Sequence, residues 1–276
     1  MMRQAARILR WLVIGGSLVV VSLRLPAGSL YKSVATKDGG TIKGKVALHR
    51  AAPQTFFLDV TKDNDWCGRK KQSPRLAIGK GKGVRNAIVS LVGVTHRKKI
   101  GTRKVLLNQK NCEFDPHVLL LPSGADLQIV NSDGTLHNVR ASAPDGLTAF
   151  NIAQPVKNFR FTVKADQLKT PGIYSLLCDA GHPWMSGFIA VMEHPYYALT
   201  DADGNFILDD IPPGNYKLKM WHEGVHVSRT ETESGKTKSY SFEQPYEETQ
   251  EVAVEPGGTV NVEFELSLRP PPLTAK

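Results

Sequence analysis

Apolar residues along this chain recur with the two-residue period of strands or in short continuous runs, and no segment carries a long 3.6-residue apolar period. Strands are predicted at 41–46 (Thr-Ile-Lys-Gly-Lys-Val), 87–92 (Ala-Ile-Val-Ser-Leu-Val), 118–121, 126–130, 159–163 and 188–192, each bounded by Gly, Pro or Asn. Further on, Asp203-Gly204 reads as a hairpin turn, with Phe206 and Leu208 alternating inward, and Pro212-Pro213-Gly214 turns the chain into the next strand. Residues 252–266, broken by Pro256-Gly257-Gly258, read as a closing hairpin. Residues 47–83 are irregular and rich in Lys and Gly, which predicts a long surface loop. The fold class is therefore all-β, built of sandwiches.

The N-terminal stretch breaks this pattern. Arg3, Arg7 and Arg10 precede an apolar run from Trp11 to Leu23, and small residues follow. That is the layout of a secretory signal over 1–29, with an uncleaved anchor as the alternative. Removal of the signal would leave a chain with no membrane span, in the periplasm or secreted.

A length of 276 residues points to about two domains. Of the nine net positive charges, four are matched by Arg3, Arg7, Arg10 and Arg24 in that leader. From Cys67 to Asn111 there are thirteen Lys or Arg and no acid, whereas Glu231 to Glu255 holds seven Glu against two Lys. Such a field is either a solvated face or a steering surface for a partner. Export and the lack of a nucleic-acid-binding motif exclude nucleic acid as that partner.

The chemistry concentrates at 178–185, which reads Cys-Asp-Ala-Gly-His-Pro-Trp-Met. A tight turn through Gly181 and Pro183 brings Cys178, His182 and Met185 to one point. Thiolate, imidazole and a weak thioether belong to a blue-copper site, which needs a second imidazole; zinc rarely recruits Met. His137 supplies it, just past the predicted strand 126–130 and the turn Asn131-Ser132-Asp133-Gly134. Taken singly, each of these residues is as readily structural; the four types at this spacing are what favour metal. With Cys178 so used, Cys67 and Cys112 remain as an even pair among the three cysteines, and a disulfide is expected between them.

Residues 122–138 resemble the first-histidine region of plastocyanin-like cupredoxins. The Cys178-x2-Gly181-His182-x2-Met185 pattern is similar to the second half of the copper motif of cytochrome oxidase subunit II. That family's two-copper centre needs a Cys where this chain has Tyr174, so the resemblance implies one copper ion. It also implies that Asn138 pins the ligand loop and that Trp184, with Phe188, keeps the sulfur dry. Residues 197–221 resemble the carboxypeptidase regulatory-like domain, a small transthyretin-like sandwich, and nothing in them supplies a hydrolase site. The layout implied is 30–103 as N-terminal strands and a basic loop, 104–194 as the cupredoxin, 195–268 as the regulatory-like sandwich and 269–276 as a tail. Either the cupredoxin is inserted into the second sandwich, or the two follow in sequence.

Together the motifs look like exported bacterial plastocyanin-like proteins with such a domain, some labelled methylamine-utilisation proteins, a label that implies no pathway here. The function implied is one-electron transfer with a redox protein such as a cytochrome c, docking on the basic region 69–104, and not an enzyme. The alternative is a non-catalytic binding or cell-envelope module on a carbohydrate-binding-like fold, with a degenerate or storage metal site. His117 stays open between the metal pocket and a structural role oriented by Asp115, and His49, His96, His194, His222 and His226 read as surface or domain-contact residues.

Overall fold

The computed structural model describes residues 32–33, 38–50, 55–94, 96–97 and 104–270. The expected signal at 1–29, the cations Lys98, Lys99 and Arg103, and the end of the tail lie outside these described residues.

In chain order the first part carries β1 (Lys32–Ser33), β2 (Gly40–Leu48), β3 (Phe57–Asp59), β4 (Lys70–Gln72), β5 (Ile88–Val92) and β6 (His96–Arg97). The middle part carries β7 (Val105–Lys110), β8 (Glu113–Asp115), β9 (Val118–Pro122), β10 (Leu127–Asn131) and β11 (His137–Ser142). It continues with β12 (Thr148–Gln154), β13 (Arg160–Val163), β14 (Gly172–Leu177) and β15 (Ser186–Met192). The last part adds β16 (Tyr197–Leu199), β17 (Asn205–Ile211), β18 (Gly214–His222), β19 (Val227–Glu233), β20 (Lys236–Phe242), β21 (Tyr246–Val254) and β22 (Thr259–Leu266). Among the described residues the helical pieces are one four-residue α-helix, α1 (Asn64–Cys67), and two short 3-10 turns. The chain is all-β, as its apolar periodicity predicts.

The middle strands close a sandwich of two sheets, β13-β10-β7-β8 and β12-β11-β14-β15-β9, in which β10 runs parallel to β7 and β15 parallel to β9. Alternation builds its core: on β7 Val105, Leu107 and Gln109 point in while Leu106, Asn108 and Lys110 point out. Leu107, Leu127, Ile129, Val139, Tyr174, Leu176 and Ile189 fill the space between the sheets. A cupredoxin-like sandwich is the result.

The second sandwich draws on both ends of the chain. Strands β16-β5-β18-β21 form one sheet and β17-β2-β22 the other, so β2 and β5 pair across the whole intervening cupredoxin-like unit. Ile42, Val46, Leu91, Phe206, Leu218 and Phe264 make its core. A third apolar layer, Ile88, Val118, Ala190 and Trp221, joins the outer faces of the two sandwiches, with Phe188 meeting Trp221 edge-on at 5.2 Å between ring centroids.

Three expectations change. The turn at Asp203-Gly204 exists, closed by the Gly204 N–H to the Asp201 carbonyl, but β16 and β17 belong to opposite sheets. Likewise β21 pairs with β18 and β22 with β2, so the segment broken at Pro256 is a corner between sheets, not a hairpin. A local turn signal does not say which sheet receives the next strand. The loop 47–83 is not merely surface: Leu58, Val60, Cys67, Ser73 and Arg75 are buried, and β3 pairs with β4 into a strap across the cupredoxin-like sandwich.

That strap is stapled by the expected disulfide, Cys67–Cys112, which closes a span of 45 residues. Replacing both cysteines with serine is expected to lower stability by about 4 kcal/mol on the chain-entropy account of a loop that long. Chemical denaturation of the double variant against the parent measures it, and an unchanged midpoint would leave the staple without thermodynamic effect.

Candidate metal centre

Two loops deliver the site. Asn131 ends β10 buried, with its side-chain amide donating to the carbonyls of Thr135 and Gln154, while its side-chain oxygen accepts the Asp133 N–H. This Asx-type turn throws His137 to the start of β11, pointing inward. The second loop joins β14 to β15. Gly181 adopts φ 88°, a left-handed conformation that favours glycine, and the Met185 N–H donates to the His182 carbonyl (3.0 Å).

The consequence is that His137, Cys178 and His182 converge, with both Nδ1 atoms and Sγ within 4.8 Å of one another. Nδ1 of His137 lies 3.1 Å from Nδ1 of His182, which is 3.5 Å from the Cys178 Sγ. Both rings are 0% exposed and Cys178 is 5% exposed. Met185 is buried one turn beyond His182.

The far side of each ring is fixed. Nε2–H of His137 donates to Asp133 (2.9 Å), and Nε2–H of His182 to Asp63 (2.8 Å). Burial acts to raise both carboxyl pKa values, but the bonds from the histidines, with the Cys112 and Asn111 N–H groups at Asp133 and with Thr135 and Lys62 at Asp63, together outweigh it and hold both acids below their ordinary 3.8. Ionised carboxylates only accept, so each ring carries a proton on Nε2 and turns its Nδ1 to the cluster. Burial also lowers the pKa of His182, with Asp63 opposing, which keeps that ring neutral. The two Nδ1 atoms face each other at 3.1 Å, close enough to share a proton or to bind one cation between them. The donor set, two imidazole nitrogens and a thiol with a thioether nearby, fits a copper ion.

Other expected residues fall into place unevenly. Asn138 does bridge the loops: its N–H donates to the Cys178 Sγ (3.3 Å), and its side-chain oxygen accepts the Asp179 N–H (3.1 Å). Trp184 packs 4.9 Å from the His182 ring and donates its indole N–H to the Cys112 carbonyl. Burial pushes the Cys178 thiol up to about 11, against the Ala180 and Asn138 N–H groups that aim at it.

His117 lies elsewhere. Its ring nitrogens bond the Ser186 carbonyl (3.0 Å) and the Glu223 carboxylate, so Glu223, not Asp115, orients it. Glu223 also pairs with Arg75 (2.9 Å), whose guanidinium stacks on Phe242 at 3.4 Å. Burial lowers the pKa of Arg75, with Glu223 opposing. Arg75 is thus withdrawn from the basic surface on which docking was expected, and His222 is buried, not a surface residue. His194 is half-buried at the sandwich junction, donating Nε2–H to the Leu91 carbonyl and accepting the Tyr196 N–H at Nδ1.

Two functional carboxylates escape the sequence reading. Asp133 carries a usable signal, since it stands four residues before His137 in the same turn. Asp63, 119 residues from His182, carries none.

No protein-family model matches the chain, and no curated protein sequence matches it. Solved structures do. A purple cupredoxin from Nitrosopumilus maritimus is similar at 21% identity over 32% of this chain and 100% of that chain, with a TM-score of 0.28. Pseudoazurin from Hyphomicrobium denitrificans is similar at 16% identity over 33% of this chain and 77% of that one, with a TM-score of 0.27. A copper-containing nitrite reductase from Thermus scotoductus shares 25% identity over 37% of this chain and 24% of the reductase, with a TM-score of 0.28. These three solved structures match over about a third of this chain's length.

Proposed function

We propose that the chain is a single-electron carrier whose one copper ion would be held by His137, Cys178 and His182, with Met185 as a weak further donor. The observation that carries this is the buried approach of two Nδ1 atoms beside a thiol, each ring locked from behind by a carboxylate. Bound there, copper would supply a Cu(I)/Cu(II) couple whose potential the axial ligand and the thiolate's surroundings tune. The protein's own part is to hold the donors still: carboxylates fix the rings, Asn138 ties one ligand loop to the other, and Trp184 excludes water. A carrier is favoured over an enzyme because His117, the residue available for a second site, has both nitrogens committed.

Loading the protein with Cu(II) tests the reading. An intense visible band with the narrow copper EPR splitting of a thiolate site supports it; bound copper without such a band overturns it, and the binding-module alternative then leads.

Because the Cys178 thiol is pushed up to about 11, metal entering at neutral pH must displace its proton. Apparent Cu(II) affinity is therefore expected to rise about tenfold per pH unit through neutrality. Chelator competition reads this slope, and a flat profile would mean the thiol is already ionised.

We place the protein in an oxidising compartment, periplasmic or secreted, in keeping with Cys67–Cys112. Among the described residues no helix is long and apolar enough to cross a membrane. The partner is a redox protein such as a cytochrome c, with an acidic face that meets the exposed cations Arg69, Lys70, Lys80, Lys82, Arg85 and Lys104. The association rate with such a partner is expected to fall as salt rises, because the Debye length shrinks to about 8 Å at physiological ionic strength. A rate indifferent to salt, measured by stopped flow, would reduce the region to a solvated face.

A further inference from the structure

Both ligand histidines are fully buried although their loops lie at one end of the sandwich, and a segment from outside that sandwich covers them. The strap running from β3 to β4 makes four separate attachments. Lys62 donates Nζ–H to the Ala180 carbonyl (2.8 Å) and lays its methylenes against Gly181, where a Cβ would come within 3.0 Å of its Cδ. Asp63 takes the Nε2–H of His182. The Trp66 ring, 61% exposed on its outer side, lies on Gly134 so closely that a Cβ there would stand 2.5 Å from it. Cys67 is bonded to Cys112.

Asp63 itself adopts φ 52°, ψ 40°, the left-handed region that Asp tolerates better than most residues but only under strain. The strain places its side chain on His182 while its carbonyl accepts the N–H of Trp66 and of Cys67 to start α1. The disulfide then reaches directly to the other carboxylate, since Cys112 donates its N–H to Asp133 Oδ2 (2.7 Å) and Asn111 donates to Oδ1 (2.8 Å). One covalent staple therefore joins the segment that carries Asp63 to the segment whose N–H groups hold Asp133. From the outer side, the Tyr240 hydroxyl accepts the Asp59 N–H and the Thr237 carbonyl accepts the Thr61 hydroxyl, so β20 braces the strap as well.

We propose that Asp63 is a positioning residue of the metal centre, fixing Nδ1 of His182 as its ligand atom, and that the Cys67–Cys112 staple exists to keep it there. This rests on the reading of His137, Cys178 and His182 as metal ligands. The segment 57–72 is on this view a permanent cover, and the metal centre is closed rather than opened to solvent at a ligand ring.

The test compares Asp63→Ala, Asp63→Asn and, as control, Asp65→Ala, an exposed acid on the same short helix. Affinity is measured by chelator competition with Co(II), whose absorption also reports the ligand field, and with copper. Asp63→Ala is expected to weaken binding by roughly 10- to 100-fold and to shift the Co(II) spectrum. Asp63→Asn keeps an oxygen that can accept Nε2–H and should restore most of that loss, while Asp65→Ala should match the parent. Parent-like affinity and spectrum in Asp63→Ala would overturn the proposal, as would equal loss in the Ala and Asn variants. The double variant Cys67→Ser/Cys112→Ser should shift affinity and spectrum in the same direction as Asp63→Ala; parent-like values there would remove the staple from the proposal. A parent that binds Co(II) but shows no intense band with copper would overturn the electron-carrier reading while leaving the Asp63 comparison decisive by itself.

Discussion

Replacing Cys178 with serine is expected to abolish the intense visible band of the copper-loaded protein while leaving His137 and His182 able to hold an ion. The band requires a thiolate bonded to copper, and a serine hydroxyl does not ionise in a buried site where even the thiol is pushed up to about 11. The substitution is nearly isosteric and leaves the Asn138 N–H an oxygen to meet, so the fold should survive. Met185→Leu is the companion variant: it removes at most a long, weak ligand, so the band should persist while the reduction potential rises, since an empty axial position favours Cu(I). Absorption and EPR of the two variants, with voltammetry of the second, separate these roles. A Cys178→Ser protein that keeps its band would end the thiolate reading.

The largest stability effect is expected not at the metal loops but at Glu223. This residue is buried at the junction of the two sandwiches, between Arg75 and His117, and its partners reach in turn to Ser186: Arg75 through Nη2 to the hydroxyl, His117 through Nδ1 to the carbonyl. Glu223→Ala would strand a buried guanidinium, which costs about 3–5 kcal/mol when one partner of a buried pair is removed. Thermal or urea unfolding measures the loss, and a change below about 1 kcal/mol would mean that water reaches Arg75 in the variant.

The same cluster sets an acid limit. Burial alone would raise the Glu223 pKa, but His117 and Arg75 outweigh it and hold the carboxyl below its ordinary 4.5. A group depressed on folding stabilises fully above its unfolded value, and that contribution is lost as pH falls through the folded one. The metal-free protein is therefore expected to keep its stability down to about pH 4.5 and lose it progressively below. Asp63 and Asp133, both held below 3.8, act in the same direction.

What was legible in the sequence is what local chemistry encodes. Alternation on β17 and β22 marks inward and outward faces because a strand's side chains have a period of two, whichever sheet receives it. The spacing from Cys178 to His182 marks a candidate ligand loop because one tight turn suffices to bring the two side chains together. The pair Cys67 and Cys112 marked a disulfide because they were the even pair left beside Cys178.

Only the tertiary structure decided what depends on segments far apart. Turns at Gly204 and Pro256 are local, but whether each joins neighbours in one sheet or crosses to the other depends on partners more than a hundred residues upstream for β17 and β22. Asp63 meets His182 across 119 residues, and Glu223 meets His117 across 106. In sequence these acids are indistinguishable from the exposed Asp65 or Glu233. Burial against a specific imidazole makes them different, and burial is a property of the packed chain, not of any stretch of it.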